Sequence, residues 1–219
     1  MKKLTILGIG FLMSISVFSG ETYWNVKTSQ PVVALTFDDG PDGNTLKLME
    51  LFKKEGVKAT FYVKGANVKK APGIVKKAFD AGHEIGNHSY THPHLPKKTA
   101  EEVRKEIVDT QQAVKEATGT EPKTFRAPYL KQDEKVLSVL KELKMASIMS
   151  SVGTNDWNKK ETVESITEKA TKKAKGGDII LMHSWRKETL DAMPEIIKRL
   201  KAKGLKCITV SELLDLKGK

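Results

Sequence analysis

Short apolar or β-branched runs recur along the chain at 32–37, 59–63, 84–88, 124–127, 146–152, 178–183 and 206–210. Their length and composition read as strands. Most are separated by segments with apolar residues at helical spacing, the clearest being 44–55, 73–81, 99–118, 133–144, 161–175 and 188–203. Gly56, Gly82 and Gly204 each follow the end of a periodic segment, where a helix C-terminus favours glycine. Thr99-Ala-Glu-Glu102 stands before Val103 as a capping box would. Strands alternating with helices of this length imply parallel pairing through right-handed crossovers. The expected fold is α/β and a single domain: a distorted (β/α) barrel with about seven parallel strands, or else an open doubly wound sheet.

Both architectures gather functional residues at the C-terminal ends of their strands. Here the first run ends in Asp38-Asp39, the third in His88, and the sixth in His183. The fourth carries Arg126, and the fifth leads into Asp156-Trp157. Polar residues suited to chemistry thus fall on one rim at five separate strand ends.

Composition narrows the class. With 219 residues, 39% hydrophobic and 30% charged, the chain suits one soluble globular domain. No run approaches the roughly 20 apolar residues of a membrane span. The N-terminus differs from the rest: Lys2 and Lys3 precede the apolar run 4–18, and the small residues Ser19 and Gly20 follow. That order is a secretory signal peptide over 1–20, cleaved after Ser19 or Gly20, leaving 21–219 as the working domain. It implies a secreted, cell-wall or periplasmic protein with no stable membrane insertion after cleavage; an uncleaved anchor is the competing reading. Without Lys2 and Lys3 the balance is 36 basic against 27 acidic residues, or +9. A basic surface suits an anionic matrix such as a cell wall, and is equally a solvated lysine-rich face. No nucleic-acid motif accompanies the charge, so a nucleic-acid partner is not expected. The single cysteine, Cys207, lies in a strand-like run and is read as buried and inert.

Taken alone, Asp38-Asp39-Gly40-Pro41 reads as a turn. Two adjacent carboxylates at a strand end nevertheless repel, and need a cation or a shared proton. His88-Ser-Tyr-Thr-His92 places two imidazoles four residues apart, able to face one point if the segment makes a helical turn. With one carboxylate they make a three-ligand site with open positions, the pattern of a catalytic metal. His83 is read as structural and His94 as loop.

Five segments, Thr36 to Pro41, His88 to His92, Arg126 to Tyr129, Asp156-Trp157 and Leu181-Met-His183, resemble the ordered motifs of polysaccharide deacetylases of carbohydrate esterase family four, the NodB homology domain. The resemblance runs from about Val32 to Leu214. It implies a distorted β/α barrel and a metal, usually Zn2+ or another divalent ion such as Co2+, on Asp39, His88 and His92. By the same resemblance Asp38 is the general base and Arg126 its partner, while the Tyr129 backbone N–H faces the oxyanion. Asp156 orients His183, the general acid; Trp157 walls the sugar groove, and Leu181 lines the acetyl pocket. Such a site would use a metal to polarise an acetamide carbonyl and lower the pKa of bound water. The implied substrate is a polysaccharide of N-acetylated sugars, peptidoglycan or chitin oligomers, acted on by a monomer. An O-acetyl esterase of acetylated xylan and a non-catalytic carbohydrate-binding protein are the alternatives. The chain departs from the family pattern at Ala127, at Gly153 and at Ser184-Trp185, the last offering a further sugar-stacking surface.

Overall fold

The computed structural model describes residues 20–219, so the expected signal segment lies outside the described residues except for Gly20. In chain order the elements are β1 (Thr22–Tyr23), β2 (Val32–Asp38), α1 (Gly43–Glu55), β3 (Thr60–Val63), α2 (Gly65–Lys70), α3 (Pro72–Asp80) and β4 (Glu84–Asn87). There follow α4 (Ala100–Thr118), β5 (Thr124–Phe125), α5 (Glu134–Glu142), β6 (Ala146–Ile148), β7 (Val152–Gly153) and α6 (Val163–Thr171). The chain closes with β8 (Ile179–His183), α7 (Lys187–Ala202), β9 (Lys206–Ile208) and α8 (Val210–Leu214).

The helix signals act as expected. Thr99 and Glu102 cap α4 reciprocally, and Gly56 ends α1 at φ 64°, a left-handed conformation that glycine adopts without penalty. The strands form one curled sheet of nine, with order β1-β6-β5-β4-β3-β2-β8-β7, and β9 pairs with the start of β2. Every ladder between named strands is parallel. The outermost strands β1 and β7 do not pair, so the barrel is open there. Beside β8 the chain is tied by an Asn25–Asp178 bridge and by Val26 N–H donating to the Gly177 carbonyl at 2.9 Å.

Among the described residues nine strands replace the expected seven or so: β1 falls outside the expected runs, and one run divides. The run 146–152 is two strands: β6 lies between β1 and β5, whereas β7 lies beside β8. Ser151 makes the crossing, its N–H donating to the Ile179 carbonyl and its hydroxyl to Asp178. The run 206–210 ends at Ile208, because Thr209 caps α8 through Glu212. Cys207 is half-buried rather than buried, and desolvation pushes its thiol up to about 12, which keeps it protonated.

Alternation along the strands builds the site's floor. On β2, Val33, Leu35 and Phe37 pack against the helices, with Leu48 and Phe52 of α1 among their neighbours. Val32 and Ala34 face the other way, into the barrel, where they meet Tyr62, Ala146, Ile148 and Ile179. Helix α8 plugs this interior with Val210, Leu213 and Leu214. The same inward face of β2 continues through Thr36 to Asp38, so the interior runs from apolar at the base to charged at the strand ends.

Candidate active site

Asp38 and His183 are register partners on the neighbouring strands β2 and β8, and Thr36 pairs with Leu181 one step below. Pairing and the two-residue repeat therefore bring Asp38, Leu181 and His183 to one cleft. Asp39, His88, His92, Tyr129, Leu130, Trp157 and Trp185 complete its lining, around a volume of about 490 Å³.

Arg126 lies fully buried beneath this cleft. Its Nη1 donates to Asp38 Oδ1 at 2.8 Å and to Thr36 Oγ1 at 2.7 Å. Nε and Nη2 donate to the carbonyls of Ile148 and Met149, and the guanidinium lies 4.3 Å from the centre of the Tyr62 ring. A buried charge needs this many partners. The arrangement leaves Asp38 Oδ2 facing His88 Nε2 at 3.8 Å.

His183 Nδ1 is 2.7 Å from Asp156 Oδ1, an acceptor, so Nδ1 carries the hydrogen and Nε2 is the free ring nitrogen. Asp156 is fully buried, and its Oδ2 also accepts from the His183 backbone N–H and from the Thr189 hydroxyl on α7. Burial alone would lower the His183 pKa; the hydrogen bond and charge of Asp156, with Asp38 and Asp39, outweigh it and raise it.

Asp39, His88 and His92 bring one ligand atom each to within 4.8 Å of one another. His88 Nδ1 donates to the Arg126 carbonyl at 2.7 Å, which leaves Nε2 unprotonated toward the cluster. Burial lowers the pKa of His88, and lowers that of His92 to about 4, so both imidazoles are neutral at neutral pH. Burial would raise Asp39, but positive charge on His88, Lys64, His92 and His183, the imidazoles contributing only when protonated, outweighs it and holds the carboxyl low. Asp39 Oδ1 is buried and accepts no hydrogen bond. One carboxylate oxygen and two imidazole nitrogens, with that oxygen unsatisfied, fit a divalent metal ion.

The two histidines do not share a helical turn. Residues 88–94 form an irregular loop, with Ser89 at φ 62° and His92 at φ 66°. Glu106 of α4 clamps it, accepting from the Tyr90 and Thr91 N–H groups at 2.7 Å each. His83 is structural: it packs on Phe52 and Phe61, and its Nδ1 accepts from the Ala59 N–H. His94 is in a loop as expected, yet its ring stacks on Tyr129 at 4.0 Å, which extends the rim.

Tyr129 and Trp157 are 53% and 59% exposed at the cleft mouth, positions that core packing does not explain. Leu130, Trp185 and the supports Thr36, Tyr62, Glu106 and Thr189 were not singled out as site residues by their sequence, apart from Trp185 as a stacking surface. Leu130 sits beside Tyr129, and neighbours of a motif are the one signal that points to it. Of the departures, Ala127 is buried apolar filling, Gly153 is an exposed edge position, and Ser184 donates to Asp42 at 2.6 Å.

A family model described as polysaccharide deacetylase matches residues 25–148. The chain belongs to the polysaccharide deacetylase family. The match covers Asp38, Asp39, His88, His92, Arg126 and Tyr129; Asp156 and His183 lie beyond it. Within the family, the chain is 38% identical over 182 residues to the peptidoglycan-N-acetylglucosamine deacetylase PgdA of Listeria monocytogenes. That alignment covers 83% of this chain and 38% of the relative, so the chain spans about two fifths of the relative's length. The crystal structure of the Bc1960 peptidoglycan N-acetylglucosamine deacetylase superposes with a TM-score of 0.86 at 34% identity, covering 92% of this chain and 95% of that one. A family 4 carbohydrate esterase from Streptomyces lividans superposes at 0.78 with 35% identity, covering 83% and 93%.

Proposed function

We propose that this polysaccharide deacetylase family member removes N-acetyl groups from an amino-sugar polysaccharide, peptidoglycan N-acetylglucosamine or chitin oligomers, outside the membrane after loss of an export signal over 1–20. The observation that carries the reading is that two ion pairs, the buried Asp38–Arg126 and the part-buried His183–Asp156, meet side by side in one cleft beside an Asp-His-His cluster. A protein that only binds sugar has no use for a base and an acid brought to one cleft.

Asp39, His88 and His92 would hold the metal, with Zn2+ the ion best suited to one carboxylate and two imidazoles. When bound, such an ion supplies Lewis-acid polarisation of the acetyl carbonyl and activation of water. Asp38 takes the proton of the attacking water, and Arg126 fixes its carboxylate so that one oxygen faces the cleft. The backbone N–H of Tyr129 donates to the developing oxyanion, a contact typically worth about 10² to 10³ in rate. His183 hands a proton from Nε2 to the leaving amine, while Asp156 holds the ring and favours its protonated form. Such transfer contributes roughly 10² to 10⁴. Leu181 lines the site for the acetyl methyl, and Trp157 walls the glycan.

Acetate release from peptidoglycan, chitin oligomers and acetylated xylan tests the reading. Turnover on the amino-sugar polymers is expected, lost on chelation and restored by Zn2+. Asp38→Asn is expected to abolish turnover and keep Zn2+ binding. Activity that survives complete metal removal, an active Asp38→Asn protein, or acetate released from xylan alone would each refute it.

A further inference from the structure

The indole N–H of Trp185 donates to Asp39 Oδ2 at 3.1 Å. The two oxygens of Asp39 therefore face different groups. Oδ2 is held by the indole, whereas Oδ1 lies 3.4 Å from His92 Nε2 and 3.3 Å from Lys64 Nζ without accepting a hydrogen bond. Trp185 sits in the turn between β8 and α7, and that turn is anchored. Ser184, 1% exposed, donates its hydroxyl to Asp42 Oδ2 at 2.6 Å, and its carbonyl accepts from Asn44 Nδ2 at 3.1 Å. Asp42 is also the N-cap of α1, three residues beyond Asp39. Indole and carboxylate are thus mounted on one hydrogen-bonded joint.

We propose that Trp185 is a positioning residue for Asp39. Its N–H occupies Oδ2 and leaves Oδ1 as the single carboxylate oxygen directed at the point His88 and His92 share. The inference rests on the reading of Asp39, His88 and His92 as metal ligands. A carboxylate with both oxygens free can rotate about its Cβ–Cγ bond or offer two oxygens to a cation. A donor fixed on one oxygen removes both freedoms, and hydrogen-bond partners of metal ligands typically change affinity by about 10- to 100-fold. Trp185 also lines the cleft; the residue is 44% exposed, and its ring lies 5.6 Å from that of His183. One side chain therefore serves two neighbours: its N–H edge is committed to Asp39, and its exposed surface faces the cleft.

Trp185→Phe keeps an aromatic ring and removes the N–H. Replacing Trp185 with 3-benzothienylalanine keeps the bicyclic shape and removes the same hydrogen, which guards against a packing defect in the phenylalanine variant. Zn2+ affinity is measured by competition with a chromophoric chelator, and the visible absorption of the Co2+-loaded protein reports the ligand arrangement. Both variants are expected to bind Zn2+ about tenfold or more weakly, to show an altered Co2+ spectrum, and to melt without metal at the wild-type temperature. Zn2+ affinity within twofold of wild type and an unchanged Co2+ spectrum in the benzothienyl variant would overturn the inference alone. A wild-type protein that binds no Zn2+ would overturn the ligand reading beneath it as well.

Discussion

Arg126→Met removes the side chain on which the floor of the cleft depends. Methionine roughly fills the arginine's volume, so the loss is polar rather than a cavity. Asp38, 3% exposed, is left without its countercharge. Breaking a buried pair by removing one partner costs about 3–5 kcal/mol. The carbonyls of Ile148 and Met149 lose their donors, at about 1–3 kcal/mol each if they stay dry. Water entering from the cleft relieves part of that, which puts the expected loss near ~5 kcal/mol. A domain of this size loses about 2–4 °C per kcal/mol, so its melting temperature should fall by ~10–20 °C. Urea and thermal unfolding of wild type, Arg126→Met, Asp38→Asn and the double variant make a cycle. Removing both charges should leave the double variant at least ~2 kcal/mol more stable than the sum of the single losses. An Arg126→Met protein that melts within ~3 °C of wild type, or strictly additive losses, would refute the buried-pair account.

Asp156→Asn should lower the His183 pKa, because the hydrogen bond and charge of Asp156 are the foremost of the influences that raise it against burial. A general acid works protonated, so the alkaline limb of the pH–rate profile should move to lower pH; an unmoved limb would remove His183 from that role. His83, pushed by burial from 6.5 to about 4, refuses a proton that the unfolded chain accepts as pH falls through that window. Its contribution is therefore full above 6.5 and lost by about 4, up to ~3 kcal/mol in all. His83→Gln should flatten the change in urea midpoint between the two pH values, and an unchanged slope would contradict it. At Gly65 an added Cβ would lie 2.3 Å from Tyr90 Cδ2 and 2.7 Å from Thr110 Oγ1. Gly65→Ala should push Tyr90 and the His88–His92 loop outward, costing about 1–3 kcal/mol of stability and about tenfold in Zn2+ affinity; wild-type Zn2+ binding would show that the loop does not depend on this contact.

The alternation of strand and helix was legible because each buried strand is a short apolar run and each long helix has one apolar stripe. What escaped were elements too short to show a period. Helix α2 spans Gly65–Lys70, and β1 only Thr22–Tyr23. Helix α8 was hidden by the apolar run before it, although Thr209-Val-Ser-Glu212 carries the capping box that starts it. The division of 146–152 was invisible for another reason. A strand's neighbours are a tertiary property, and nothing local tells that Ala146–Ile148 joins one side of the sheet and Val152–Gly153 the other.

Residue types at the strand ends were legible; the backbone that aims them was not. A helical turn was the simplest way to make His88 and His92 converge, yet a turn of that kind would hold both rings on one cylinder above β4. The loop instead bends through left-handed residues, and so does much of the rim: Asp39 at φ 74°, Ser89 at 62°, His92 at 66°, Tyr129 at 59°, Leu130 at 54° and Asn155 at 57°. None is glycine, so each carries a local conformational penalty that its surroundings must offset. The offsets are on hand. Asn67 Nδ2 donates to the Asp39 carbonyl at 2.9 Å, Asn87 Oδ1 accepts from the Ser89 N–H, and Ser89 Oγ accepts from the His92 N–H. Five chemically committed segments would not converge on one cleft by strand geometry alone, because strands aim side chains in only two directions. The left-handed turns supply the other directions, and the asparagine, serine and glutamate hydrogen bonds beside Asp39 and the 89–92 loop hold those two turns in place.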